Sequence, residues 1–159
     1  MIRNIQKTDN ETLAQIIRTS LKSYGLDIPG TVYTDPTTDD LFKLFQTPGS
    51  VYFVFEAEGK ILGGCGIYPT EGLPKGCAEL VKLYLTEESR GKGLGKMLME
   101  KSCEWARDFG YTYLYLETFE VLNSAVGLYN KIGFKNLDSS LGNSGHHACE
   151  IWMLKDLRV

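Results

Sequence analysis

Arg90-Gly91-Lys92-Gly93-Leu94-Gly95-Lys96 stands between a strand-like run, Cys77–Thr86, and an amphipathic helical run that stops at Gly110. Glycines at such a junction let the backbone approach a ligand, and the first amides of the following helix have no partners inside it. Together with the helix dipole they form an anion site. Arg90, Lys92 and Lys96 add positive charge, so a diphosphate is the natural guest. Two common phosphate motifs fail here. Counting back from Gly95-Lys96 puts Arg90 where G-x-x-x-x-G-K-[ST] needs its first glycine, and Met97 follows the lysine. G-x-G-x-x-G fails because Lys96 falls where its last glycine belongs. What remains is R-x-x-G-x-G over Arg90, Gly93 and Gly95.

The surrounding periodicities place this turn inside an α/β (α+β) chain. Leu94, Met97, Leu98, Trp105, Ala106 and Phe109 share one face of the predicted helix, and Thr112–Thr118 follows as a strand. Strand, turn, helix and strand make a parallel crossover. Upstream, Val51–Glu56 and Ile61–Tyr68 read as an antiparallel hairpin around Ala57-Glu58-Gly59-Lys60. Ile2–Gln6 reads as a first strand. Thr8-x-x-Glu11 reads as a capping box before Leu13, Ile16, Ile17 and Leu21, with Gly25 as the stop. Residues 25–37 read as a loop, and Thr38-Asp39-Asp40 as the cap of a short helix carrying Leu41, Leu44 and Phe45. Downstream, Asn123 is expected to cap a helix ending at Ile132 before Gly133, with short strands near Phe134–Leu137 and Ala148–Leu154. The order β-α-α-β-β-β-α-β-α-β-β predicts a mixed, mainly antiparallel twisted sheet with one parallel β-α-β crossover and flanking helices.

Composition narrows the function classes. The length of 159 residues suits one domain, 1–159, and 43% apolar with 23% charged residues is ordinary for a globular protein. No apolar run approaches the roughly 20 residues that span a membrane, and the N-terminus lacks the apolar core of a secretory signal. A cytoplasmic protein without a membrane partner is expected. Seventeen Lys+Arg against 20 Asp+Glu give a net charge of −3, and no basic block stands out, which argues against nucleic acid. Cys65, Cys77, Cys103 and Cys149 form no C-x-x-C pair and read as reduced, buried thiols. His146-His147 would point to opposite sides of an extended segment with no third ligand nearby, so no metal site is expected.

The R-x-x-G-x-G turn resembles the GNAT superfamily of N-acetyltransferases, which uses such a turn to hold the pyrophosphate of acetyl-CoA. Asn123-Ser124-Ala125-Val126-Gly127-Leu128-Tyr129-Asn130-Lys131-Ile132-Gly133-Phe134 is similar to the family's N-x-x-A-x-x-L-Y-x-K-x-G-F pattern, with Ala125 one position early. The element order agrees over nearly the whole chain. The resemblance implies direct acetyl transfer from acetyl-CoA to an amine in a ternary complex, without a covalent enzyme intermediate or a metal. It implies a cofactor site of Arg90, Gly91, Lys92, Gly93, Leu94, Gly95, Lys96 and Asn123. It also implies a bulge around Leu83–Leu85, with the backbone of Leu83 and Leu85 bonding the pantetheine amides.

Catalysis requires a neutral amine, although a free alkylamine has a pKa near 10. Glu79, eleven residues before Arg90, matches the position of the catalytic glutamate in the histone-acetylating branch. Alternation places it on the face of Val81 and Leu83, where apolar neighbours would raise its pKa. A salt bridge with Lys82 or with a lysine on a neighbouring strand is the competing role; ordered water is an alternative base, as in many family members, and Glu117 is the reserve. Tyr129 matches the family tyrosine that protonates the departing thiolate; the competing role is core packing. Tyr24, Tyr33, Tyr68 and His146 are candidates for the acceptor pocket. The acceptor itself stays open between a small-molecule amine and a protein or peptide amine, with the acidic balance leaning toward a small cationic one. A homodimer is compatible with the family. A non-catalytic acetyl-CoA sensor or regulatory module is the rival reading.

Overall fold

Glu58 and Gly59 both take positive φ, +53° and +75°, and form the two-residue turn that joins β2 (Val51–Ala57) to β3 (Lys60–Tyr68). Turns of that twist match the right-handed twist of the strands they connect. The computed structural model describes residues 1–159 and extends this hairpin into one seven-stranded sheet. On one side lies β1 (Ile2–Asn4), antiparallel to β2; on the other lies β4 (Cys77–Leu85), antiparallel to β3. The chain then crosses over through α3 (Leu94–Phe109) and returns as β5 (Tyr113–Thr118), parallel to β4. After α4 (Asn123–Ile132), β6 (Lys135–Leu137) takes the outer edge and β7 (Ile151–Asp156) inserts between β5 and β6. Every pairing except β4–β5 is antiparallel. No helix is long and apolar enough to cross a membrane.

Each sheet face carries its own core. Leu13, Ile17 and Leu21 of α1 (Asn10–Ser23) pack with Tyr52 and Val54, and Leu41 of the one-turn α2 (Leu41–Leu44) joins them. On the opposite face, Leu98, Met99, Cys103 and Ala106 of α3 and Tyr129 of α4 pack on Phe53, Cys65 and Leu114. The buried stripe of α3 therefore differs from the expected one. Met97 and Phe109 are exposed, while Ser102 is fully buried. The Ser102 hydroxyl donates to the Leu98 carbonyl at 2.8 Å, so a residue that reads as polar is satisfied within its own helix. The α1 cap also shifts. Asp9, not Thr8 with Glu11, closes that corner by accepting from the Gln6 amide at 2.7 Å and pairing with Arg3. Asn123 is already helical, with φ −61° and ψ −30°, and α4 starts without a side-chain cap.

Two irregularities open the sheet. Gly66 pairs with Val81 and Gly64 with Tyr84, so Lys82 and Leu83 together face the single residue Cys65. Lys82 is the bulged residue, at φ +54°. A non-glycine residue in that region costs about 1–3 kcal/mol and persists only where its surroundings enforce it. Tyr52 supplies one such constraint, donating its buried hydroxyl to the Lys82 carbonyl at 2.9 Å. A Cβ on Gly64 would lie 2.3 Å from the Tyr52 ring, so glycine gives the tyrosine its path across β3. The second irregularity is a parting of strands. β4 and β5 pair only from Cys77–Tyr113 to Glu79–Tyr115, and beyond that point they separate.

Candidate active site

A cavity of about 540 Å³ fills the gap between the parted strands. Its size lies within the roughly 300–1,000 Å³ of small-molecule sites. Leu80–Leu85 line one wall, Leu116–Phe119 the other, and the glycine turn and α4 close two further sides.

At one end, Gly93 stands at the N-cap of the 16-residue α3 with φ +82° and no side-chain cap, so the first amides of the helix remain available. Cβ atoms built on Gly91 or Gly93 meet nothing within 4 Å, which leaves an open lane to the backbone. Arg90 reaches across to α1, donating to Ser20 Oγ at 3.1 Å and to the Tyr24 hydroxyl at 3.4 Å, with its guanidinium 5.4 Å from the Tyr24 ring centre. Ser20 in turn donates to the Leu85 carbonyl at 3.2 Å. Of the basic residues, Arg90 and Lys96 line the cavity, while Lys92 stands outside it.

At the other end, titratable side chains converge. Glu79 is 4% exposed, and Thr70 donates to its Oε1 at 2.5 Å. Burial, strengthened by the nearby Glu117 charge, raises its pKa from an ordinary 4.5 to about 7. Glu117 is committed elsewhere: the Tyr115 hydroxyl donates to Oε2 at 2.7 Å and Ser144 to Oε1 at 2.5 Å. His146 Nε2 lies 3.0 Å from Asp35 Oδ2, and this contact holds the Asp35 carboxyl well below the usual carboxylate range. It also ties the loop after α1 to the loop before β7. Tyr129 is buried against Phe134, with ring centres 5.9 Å apart, and its hydroxyl bonds no protein group. Burial pushes that phenol above its ordinary value, so it stays protonated.

A glycine turn at a helix N-terminus thus lies beside a gap between parted parallel strands, with a buried carboxyl and a phenol at the far end. Residues 14–134 match the Acetyltransferase (GNAT) family. The chain belongs to the GNAT family. It is by family an N-acetyltransferase. An uncharacterised N-acetyltransferase of Escherichia coli K12, YjgM, is 39% identical over 99% of this chain and 95% of its own length. A GNAT acetyltransferase of Staphylococcus aureus Mu50 shares the fold with a TM-score of 0.83 at 17% identity, covering 99% of this chain and 98% of its own. The YncA acetyltransferase of Salmonella typhimurium, solved with its cofactor acetyl-CoA, superposes with a TM-score of 0.76 at 18% identity, covering 99% and 93%.

On this GNAT framework most of the residues singled out from sequence gather on one cavity: Glu79, Leu83, Leu85, Arg90, Gly91, Gly93, Leu94, Gly95, Lys96, Tyr129, Tyr24 and His146. Four do not. Tyr33 and Tyr68 pack against the α1-side core, Tyr68 edge-on to Phe45 at 5.8 Å, and line no part of the cavity. Lys92 and Asn123 are exposed. Asn123 precedes Tyr129 by six residues where the family pattern has seven, so the asparagine position falls on Leu122, which does line the cavity. Tyr24 is displaced in role, since it stacks on Arg90 at the glycine-turn end. The bulge takes in Lys82 and Leu83, at the leading edge of the expected Leu83–Leu85 stretch, and it reverses the alternation that follows. Glu79 and Val81 face the α1 side, whereas Leu83 packs with the α3-side core. Lys82 makes no salt bridge with Glu79 within 4 Å. Cys149 precedes β7 and lines the cavity, and all four cysteines are free. Sequence reading missed Asp35 and the cavity role of Lys82. The interior glycines Gly63, Gly64 and Gly66 were the available sign of a bulge.

Proposed function

We propose that residues 1–159 act as one domain that transfers the acetyl group of acetyl-CoA directly to a primary amine of a small molecule, in the cytoplasm. The observation that carries this reading is the single cavity joining the glycine turn to Glu79 and Tyr129. The free amides of α3 and the Arg90 side chain would hold the pyrophosphate. The lane beside Gly91 and Gly93 fits that group, because any side chain there would fill it. Backbone groups of Leu83 and Leu85, freed from β5, would hold the pantetheine arm. The four free thiols favour a reducing compartment.

Acetyl-CoA supplies the activated acetyl thioester; this chain supplies the proton traffic. Glu79 accepts a proton from the incoming ammonium, directly or through a water. Its Oε1 is held by Thr70, which leaves Oε2 to face the amine. A pKa of about 7 suits that task at neutral pH. As the amine nitrogen bonds the acetyl carbon and the carbon–sulfur bond breaks, Tyr129 gives its proton to the departing sulfur, and the second proton shed by the nitrogen restores the phenol. Glu117 is less available to an incoming amine, since two hydroxyls already occupy its two oxygens.

The test is release of free CoA from acetyl-CoA across a panel of amines, with acetyl-CoA binding measured in parallel by calorimetry. Acetylation of at least one small amine is the expected result. Tight acetyl-CoA binding without transfer to any amine would make the chain a cofactor-binding module.

A further inference from the structure

Lys82 is 8% exposed, lines the cavity, and forms no hydrogen bond or ion pair with any protein group. Buried cations are costly unless paired. The acids nearest to Lys82, Asp35 and Glu79, make no ion pair with it, and three of their four carboxylate oxygens are held by other groups. Asp35 Oδ2 is held by His146 at 3.0 Å, and Asp35 Oδ1 accepts from the Thr37 amide and hydroxyl at 2.9 and 2.7 Å. Glu79 Oε1 is taken by Thr70. Strand geometry would also separate Lys82 from Glu79, because residues three apart point to opposite faces of a regular strand. The bulge at Lys82 cancels that alternation and brings both side chains to one cavity. A strained backbone thus presents an unpaired ammonium beside the group that receives the acceptor amine.

Resting on the acetyltransferase reading above, we infer that Lys82 binds a carboxylate of the acceptor, and that the acceptor is an amino acid with a free carboxylate close to its amine. Glu79 takes the amino end and Lys82 the carboxylate end. A zwitterion of this kind offers each buried charge its complement, whereas a plain amine, a polyamine or an aminoglycoside leaves Lys82 unpaired and adds positive charge beside it.

The experiment compares free amino acids with their carboxamides and with the corresponding decarboxylated amines, on the wild-type protein and on Lys82→Met and Lys82→Arg. Two readouts are taken: steady-state CoA release, and calorimetric binding of each amine to protein saturated with CoA. For the wild type, the free acid should exceed its amide at least tenfold in both kcat/KM and affinity. In Lys82→Met that ratio should fall to about one, mainly through KM, while Lys82→Arg should keep part of it. Melting curves and acetyl-CoA affinity verify that the variants fold. Equal use of acids and amides by the wild type overturns the inference, as does a Lys82→Met variant that loses kcat alike on both, which would make Lys82 a proton carrier. Acid-selective binding lost in Lys82→Met, with no turnover on any amine, would leave the carboxylate site standing and remove the transferase reading.

Discussion

The two ends of the cavity are built by opposite means. At the glycine turn, seven consecutive residues supply nearly everything: open backbone at Gly91 and Gly93, uncapped amides of α3, and a cation at Arg90. At the acceptor end, Asp35, Glu79, Lys82, Glu117 and His146 come from four separate parts of the chain and meet only after folding. One end presents open backbone and the uncapped start of a helix. The other works with buried charges whose protonation depends on their neighbours. The first should therefore fail through backbone shape and the second through single functional groups.

Gly93→Glu should break the contrast most severely. No atom lies within 4 Å of a Cβ at this position, so the fold has room for the new side chain, although φ +82° adds strain of about 1–2 kcal/mol. The carboxylate would fill the anion lane. Loss of acetyl-CoA affinity by more than about 100-fold is expected in calorimetry, which is near 3 kcal/mol, with the melting transition still cooperative.

Tyr129→Phe comes next. The hydroxyl bonds no protein group, so its removal should barely move the melting temperature. General acid catalysis is typically worth about 10²–10⁴ in rate, and turnover should fall by an amount in that range while acetyl-CoA affinity holds. A shifted melting point with turnover intact would make Tyr129 a core residue only.

Glu79→Gln sharpens the acceptor side through stability. With its pKa raised by burial from 4.5 to about 7, the protonated form favours the fold. That contribution is complete below pH 4.5 and is lost as pH rises through 7. Above pH 7 the buried carboxylate costs up to about 3 kcal/mol. The glutamine variant should therefore melt several degrees above the wild type at pH 8, and the gap should close toward pH 4. The smallest effects belong to Tyr33→Phe and Tyr68→Phe. Both tyrosines lie outside the cavity, and kcat/KM should change by less than about twofold.

This contrast also explains what could be read from sequence. The strand order, the hairpin and the crossover were legible because each rests on local periodicity and turn residues, as Glu58-Gly59 and Gly110 illustrate. The glycine turn at the start of α3 was legible for the same reason. The α3 face was misread at Ser102, because its polarity is cancelled by a bond within the helix. Tyr33 and Tyr68 were misplaced because an aromatic residue in a loop or strand end carries no sign of which way it points. The Asp35–His146 contact spans 111 residues, and no local pattern announces it. Lys82 was hidden by a bulge, which depends on how β3 and β4 align rather than on either strand alone.

The central claim, a buried Glu79 that takes the amine proton, is tested most directly by the pH dependence of kcat/KM for the wild type and Glu79→Gln side by side. The wild-type rate should rise with pH through an acid limb with an apparent pKa near 7. In Glu79→Gln that limb should disappear and the residual rate should follow only the ionisation of the acceptor amine. The same limb in both proteins would contradict the account.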